Sequence, residues 1–147
     1  MLQVTSSAFE NNGRIPKKYT GEGENVSPPL SWKVDENAVE YALICDDPDA
    51  PRDEPWVHWV AYNIPSTVNS FAEGESESAA QGNNTANRRG YIGPMPPPGH
   101  GVHHYYFKVY ALDKLLGLEE GIDKHRLLKA MEGHIVDEGE LVGTYER

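Results

Sequence analysis

Apolar residues in this chain fall into short runs, and only one late segment carries helical spacing. Tyr41-Ala42-Leu43-Ile44-Cys45 is an unbroken apolar run that stops at Asp46, as in a short strand covered on both faces. Trp56 to Ile64 is rich in aromatic and β-branched residues and closes at Pro65, and Val102 to Leu112 repeats that composition, so both read as strands. Asn25 to Trp32 reads as an edge-like segment, because Ser27-Pro28-Pro29 interrupts it and proline cannot donate to a central ladder. Residues 66–90 are polar, with Glu73-Gly74-Glu75-Ser76-Glu77-Ser78 and Gly82-Asn83-Asn84, and predict one long surface connection that is mobile or functional. Toward the C-terminus Leu127, Leu128, Met131 and Ile135 recur at helical intervals behind a capping residue, Asp123, with Gly133 as the stop. This short helix is expected to pack on one edge of the sheets, before Glu140 to Tyr145 returns as a last strand. Short strands separated by turn signals predict an all-β-dominated sandwich with one short C-terminal helix, as a single domain over residues 1–147.

Strand alternation says which side chains can meet. If residues 56–63 are regularly extended, Trp56, His58, Val60 and Tyr62 share one face; in the later strand His103, Tyr105, Phe107 and Val109 do the same. His58 and His103 then converge near the strand ends. Asp47 and Asp49 lie just past the end of a neighbouring strand, within reach of the imidazoles. An aspartate beside a histidine favours the imidazolium, so at least one imidazole is expected to titrate high. A desolvated His-Asp pair with a Tyr hydroxyl nearby suits the holding of an anion. His104 and His134 read as structural or solvated residues, and Trp56 as the tryptophan that faces a ligand.

Charge and composition narrow the partners. With 13 Lys and Arg against 23 Asp and Glu, the formal charge of -10 opposes a sequence-independent grip on nucleic acid or on an anionic membrane surface. A locally positive pocket can still take a small anion. The single cysteine, Cys45, excludes an intramolecular disulfide and suits a reducing compartment. Met1 to Ser6 shows neither a basic n-region nor an apolar h-region, and no apolar run approaches membrane-spanning length, so a cytoplasmic location without membrane insertion is expected.

Other chemistries fit less well. The acids at 46–54 lack the glycine that an EF-hand turn needs, since Arg52 stands where it would be. Two histidines and a carboxylate also describe the ligand set of non-haem iron oxygenases, but there is no His-x-Asp pair, and an Asp47 tied to a histidine is no free ligand. No Gly-x-Ser-x-Gly elbow occurs. No metal, cofactor or catalytic residue is therefore expected. Pro96-Pro97-Pro98 is either a rigid connector or a PxxP-like ligand, and Gly93, Gly99 and Gly101 around it favour the connector.

The two loops together resemble a known family. Asp47-Pro48-Asp49-Ala50-Pro51-Arg52 with Trp56-x-His58-Trp59, Asn63-Ile64-Pro65, and Gly93-Pro94-x-Pro96-Pro97-x-Gly99 leading to His103-x-Tyr105-x-Phe107 are similar to the phosphatidylethanolamine-binding proteins. The likeness is to their short bacterial and archaeal branch, the Raf kinase inhibitor-like proteins, and runs from Phe9-Glu10 to Leu141-Val142-Gly143-Thr144-Tyr145.

The resemblance implies a sandwich of two antiparallel sheets with a small anion pocket at one end. Asp47, His58, His103 and Tyr105 would form that pocket, with Gly93, Pro96 and Pro97 in its wall. Met95 departs from the pattern, since short members often carry Cys there. The resemblance also implies cis peptides in this region, so Ala50–Pro51 or Glu54–Pro55 is expected to be cis. The expected ligand is phosphate or a phosphorylated headgroup, held by Asp47, Asp49, Trp56, His58, His103 and Tyr105. The alternative is a protease inhibitor or kinase-pathway regulator acting through residues 66–90 or the proline loop, and a homodimer is compatible with either.

Overall fold

A computed structural model describing residues 1–147 shows a six-stranded sheet packed on one face by a three-stranded sheet and on the other by a helix. In chain order the strands are β1 (Val4–Thr5), β2 (Gly13–Arg14), β3 (Leu30–Trp32), β4 (Glu40–Asp47), β5 (Trp56–Pro65), β6 (Ser70–Phe71), β7 (Ala80–Gln81), β8 (His103–Leu112) and β9 (Ile135–Tyr145). Helix α1 (Lys124–Met131) lies between the last two. The large sheet runs β2-β9-β8-β4-β5-β7 and the small one β1-β3-β6. All pairings are antiparallel except that of β2 with β9, a short parallel edge that the expected purely antiparallel sheets did not include.

β4 is the centre of the large sheet, and every one of its residues is buried because both faces are covered. Tyr41, Leu43 and Cys45 face inward with Trp59, Phe107 and Val109, against Leu2, Val4, Leu30, Trp32 and Phe71 of the small-sheet side. Ala42 and Ile44 face the other way, with Val60 and Tyr62, under Ile122, Leu127 and Met131. The helix thus covers the outer face of the large sheet and not an edge, because Ala42, Ile44, Val60 and Leu112 leave an apolar patch there that has to be buried. Asp123 caps it as expected, its Oδ1 accepting from Arg126 N at 2.9 Å. Lys124 Nζ, 2.7 Å from Asp46 Oδ2, ties the first turn to β4. Ile135 leaves the helical stripe and begins β9, since Gly133 at φ 79° ends the helix first.

Two further expectations are corrected. Leu30–Trp32 is the middle strand of the small sheet and not an edge; Pro28 and Pro29 precede it, so no ladder donor is lost. Residues 66–90 are not one structureless connection. β6 pairs with β3 in the small sheet and β7 with β5 in the large one, so the segment crosses from sheet to sheet and buries Phe71 in the core. Isolated two-residue strands carry too little pattern to be read from sequence. No helix is long and apolar enough to cross a membrane.

Candidate functional site

At one end of the large sheet, where β4 ends and β5 and β8 begin, the inward column changes from apolar residues to Asp47, His58, His103 and Tyr105. The wall facing them is made of loop segments 19–25 and 91–97, laced by Gly21 N to Pro94 O (2.8 Å), Gly93 N to Asn25 Oδ1 (2.7 Å) and Tyr91 Oη to Tyr19 O (2.7 Å). Between them lies a cavity of about 370 Å³. Asp47, Trp56, His58, Gly93, Pro96, Pro97, His103 and Tyr105 all line it. Of the expected site residues only Asp49 does not. It is exposed and turned outward, and its Oδ2 accepts from the backbone N (2.8 Å) and Nδ1 (2.7 Å) of His104.

His58 and His103 converge as alternation predicts, but the alternation of β5 breaks just beyond His58. Cys45 pairs with Trp59 and Asp46 with Val57, so His58 is the extra residue of a β-bulge. Val60 and Tyr62 consequently point toward α1, while His58 stays inward and meets the Tyr105 ring edge-on, centroids 5.1 Å apart. The expected common face therefore holds for Trp56 and His58, which both line the cavity, and fails for Val60 and Tyr62, which the bulge turns to the opposite face. The redirection needs no cis bond: every peptide bond is trans, against the expected cis proline, and the chain reverses through tight turns after Asp47, with Arg52 N donating to Ala50 O at 2.7 Å.

Adjacent acids on β4 take opposite faces and different tasks. Asp46 faces α1 and its lysine. Asp47, 3 % exposed, accepts from His103 Nδ1 at 2.6 Å through Oδ2 and from Asp49 N at 2.8 Å through Oδ1. His58 takes no part in that pair; its Nδ1 donates to Ile92 O at 2.7 Å. Burial pushes the His58 pKa down, outweighing the carbonyl bond and the more distant Asp47 that would raise it. The expected raised imidazole is thus not found at His58, because Asp47 is committed to His103. Burial, helped by Asp47, pushes the Tyr105 phenol well up, so its hydroxyl keeps its proton and remains a donor. Cys45, behind the site, is likewise held as the thiol by burial.

Sequence reasoning missed three contributors. Gly21 and Asn25 line the cavity, and Asn25 at φ 60° adopts a left-handed turn that a short amide tolerates, a signal hidden in Gly21-Glu22-Gly23-Glu24-Asn25. The third is His100, whose Nδ1 lies 2.7 Å from His103 Nε2. Met95, at the position where the resemblance implies Cys, is half exposed on the rim and packs over Gly21.

Gly93 shows how tightly the wall is built. A Cβ there would stand 2.3 Å from Tyr19 O and 2.6 Å from Asn25 Oδ1. Gly93→Ala is expected to push segments 19–25 and 91–97 apart, lowering stability by about 1–3 kcal/mol. Thermal denaturation checks this; a Tm unchanged from wild type would contradict it.

The large sheet of this β-sandwich thus ends in a small cavity lined by Asp47, His58, His103 and Tyr105 behind a proline loop. The family model for phosphatidylethanolamine-binding protein matches residues 5–146, and the chain belongs to that family. A UPF0098 protein of Methanothermobacter thermautotrophicus is 46% identical over 153 residues, covering 99% of each chain. Among solved structures, a Chlamydia trachomatis homologue of phosphatidylethanolamine-binding protein aligns with a TM-score of 0.94 at 47% identity, covering 99% of this chain and 97% of that one. Escherichia coli YbcL, described as a member of the mammalian family, aligns at 0.91 and 30% identity over 99% and 98%.

Proposed function

We propose that the pocket binds a small phosphate-like anion, free or as a phosphorylated headgroup, and that the protein acts by binding and not by catalysis. The observation that carries this reading is the buried Asp47–His103 pair in the wall of a cavity that also presents His58 and a protonated Tyr105. In a chain of formal charge -10, Tyr105 supplies a donor at this point and the two imidazoles supply ring nitrogens that donate to an anion once protonated. The name of the matching family supports a headgroup-bearing ligand. The alternative, inhibition or regulation through residues 66–90, gains little from a segment whose strands are tied into both sheets.

Calorimetric titration with inorganic phosphate and with O-phosphorylethanolamine at pH 6 tests the proposal. One site is expected for both, unchanged in His134→Ala. His134 pairs with Asp113 on the surface, roughly 30 Å along β8 from His103 by strand rise. No binding of either ligand would remove the anion reading. No group of three His, Cys, Asp or Glu side chains is disposed to hold a metal. Native mass spectrometry of protein purified without phosphate tests the non-catalytic reading, since stoichiometric iron or zinc that is lost in His58→Ala would turn it toward an enzyme.

A further inference from the structure

The pocket as it stands offers fewer donors than its residues suggest. A carboxylate oxygen only accepts, so His103 Nδ1 carries the hydrogen that reaches Asp47, and Nε2 is the one nitrogen of that ring left for a ligand. That nitrogen already shares a hydrogen with His100 Nδ1 at 2.7 Å, the two rings 4.9 Å apart, and an oxyanion accepts from Nε2 only when Nε2 carries a hydrogen. His103 is 2 % exposed and lines the cavity, whereas His100 is exposed and reaches in from outside its lining.

The segment that carries His100 is built to move without disturbing the wall. Gly99 at φ 75° and Gly101 at φ 98° flank it, and nothing lies within 4 Å of where either Cβ would stand. Upstream the chain is held by His100 N to Pro97 O (3.1 Å), Gly99 N to Arg147 O (3.0 Å) and Arg147 Nε to Pro96 O (2.6 Å). The ring can therefore turn to solvent while Pro96 and Gly93 stay in place.

We propose that His100 gates the anion pocket: its ring competes with the anion for His103 Nε2 and swings out on the glycine-flanked loop 99–101 when the anion binds. This rests on the anion reading of the pocket. The gate sets a threshold, because an anion must bond His103 better than a neighbouring imidazole does. Phosphate, with several strongly accepting oxygens that can also reach His58 and Tyr105, meets it more easily than a weakly accepting anion such as chloride.

The test is titration of inorganic phosphate into wild type, His100→Ala and His100→Gln, by calorimetry and by NMR of the imidazole and tyrosine side chains. His100→Ala is expected to bind phosphate about three- to tenfold more tightly, the worth of the one competing hydrogen bond. His100→Gln, whose amide can restore that bond, returns toward the wild-type affinity. Phosphate added to wild type should move the His100 signals to those of a solvated histidine. Unchanged or weaker binding in His100→Ala, with phosphate still shifting His58 and Tyr105, overturns the gate and leaves the pocket standing. Absence of phosphate binding in all three proteins overturns both.

Discussion

His103→Ala is expected to weaken phosphate binding by about tenfold to a hundredfold, the worth of a charge-assisted hydrogen bond, and to destabilise the empty protein as well. The second effect arises because Asp47, 3 % exposed, would keep only the Asp49 amide as a partner. Leaving a buried carboxylate short of its hydrogen-bond partner costs on the order of 1–3 kcal/mol or more. Asp47→Ala is expected to be comparably harmful to binding, since it removes the acceptor that holds the His103 ring through its Nδ1 hydrogen. The double variant should recover part of the stability lost, because neither partner is then buried without the other. Chemical denaturation of the two single variants and the double, beside phosphate calorimetry, gives the coupling directly. Strictly additive losses would mean that the 2.6 Å contact is not an interacting unit.

The residues that form the pocket were legible because chemistry and backbone restriction coincide in two short stretches. Aromatic and β-branched runs gave β5 and β8, and an apolar run ending in acids gave β4. The faces of Val60 and Tyr62 were not legible, since a bulge inserts one residue between Val57 and Trp59 and alternation from Trp56 and His58 cannot anticipate the switch. Asp49 carries the same side chain as Asp47 two positions away, yet the strand ends between them, and only the residue still in the ladder faces the cavity. The small sheet was obscure for a different reason. β1 and β6 are two residues each and owe their place to Trp32, Phe71 and Val4 packing on the large sheet, a tertiary preference with no local period. His100 lies between Gly99 and Gly101, but its approach to His103 depends on both glycines being left-handed, and composition shows only that glycines are present.

Anion affinity is expected to rise as pH falls through the histidine range. In the empty fold His58 is neutral over most of that range, because burial pushes its pKa down. Its Nδ1 hydrogen is spent on Ile92 O, so Nε2 presents a lone pair, which repels an oxyanion. Binding a phosphate dianion therefore requires a proton at that nitrogen, and one proton taken up corresponds to about tenfold in affinity per pH unit. The gain should level off near pH 6, where the phosphomonoester begins to carry its own second proton.

The same group acts on stability with the opposite sign. A histidine whose folded pKa is depressed is protonated more readily in the unfolded chain, whose value is about 6.5, so the free protein loses stability as pH falls below that point. Phosphate supplies the charge that makes the buried imidazolium acceptable, so the rise in Tm on adding phosphate should be larger at pH 5.5 than at pH 8. Calorimetry in buffers of different ionisation enthalpy should register proton uptake at pH 7 to 8, abolished in His58→Phe. Proton release, or a Tm increment that grows with pH, would show that His58 does not take up the proton.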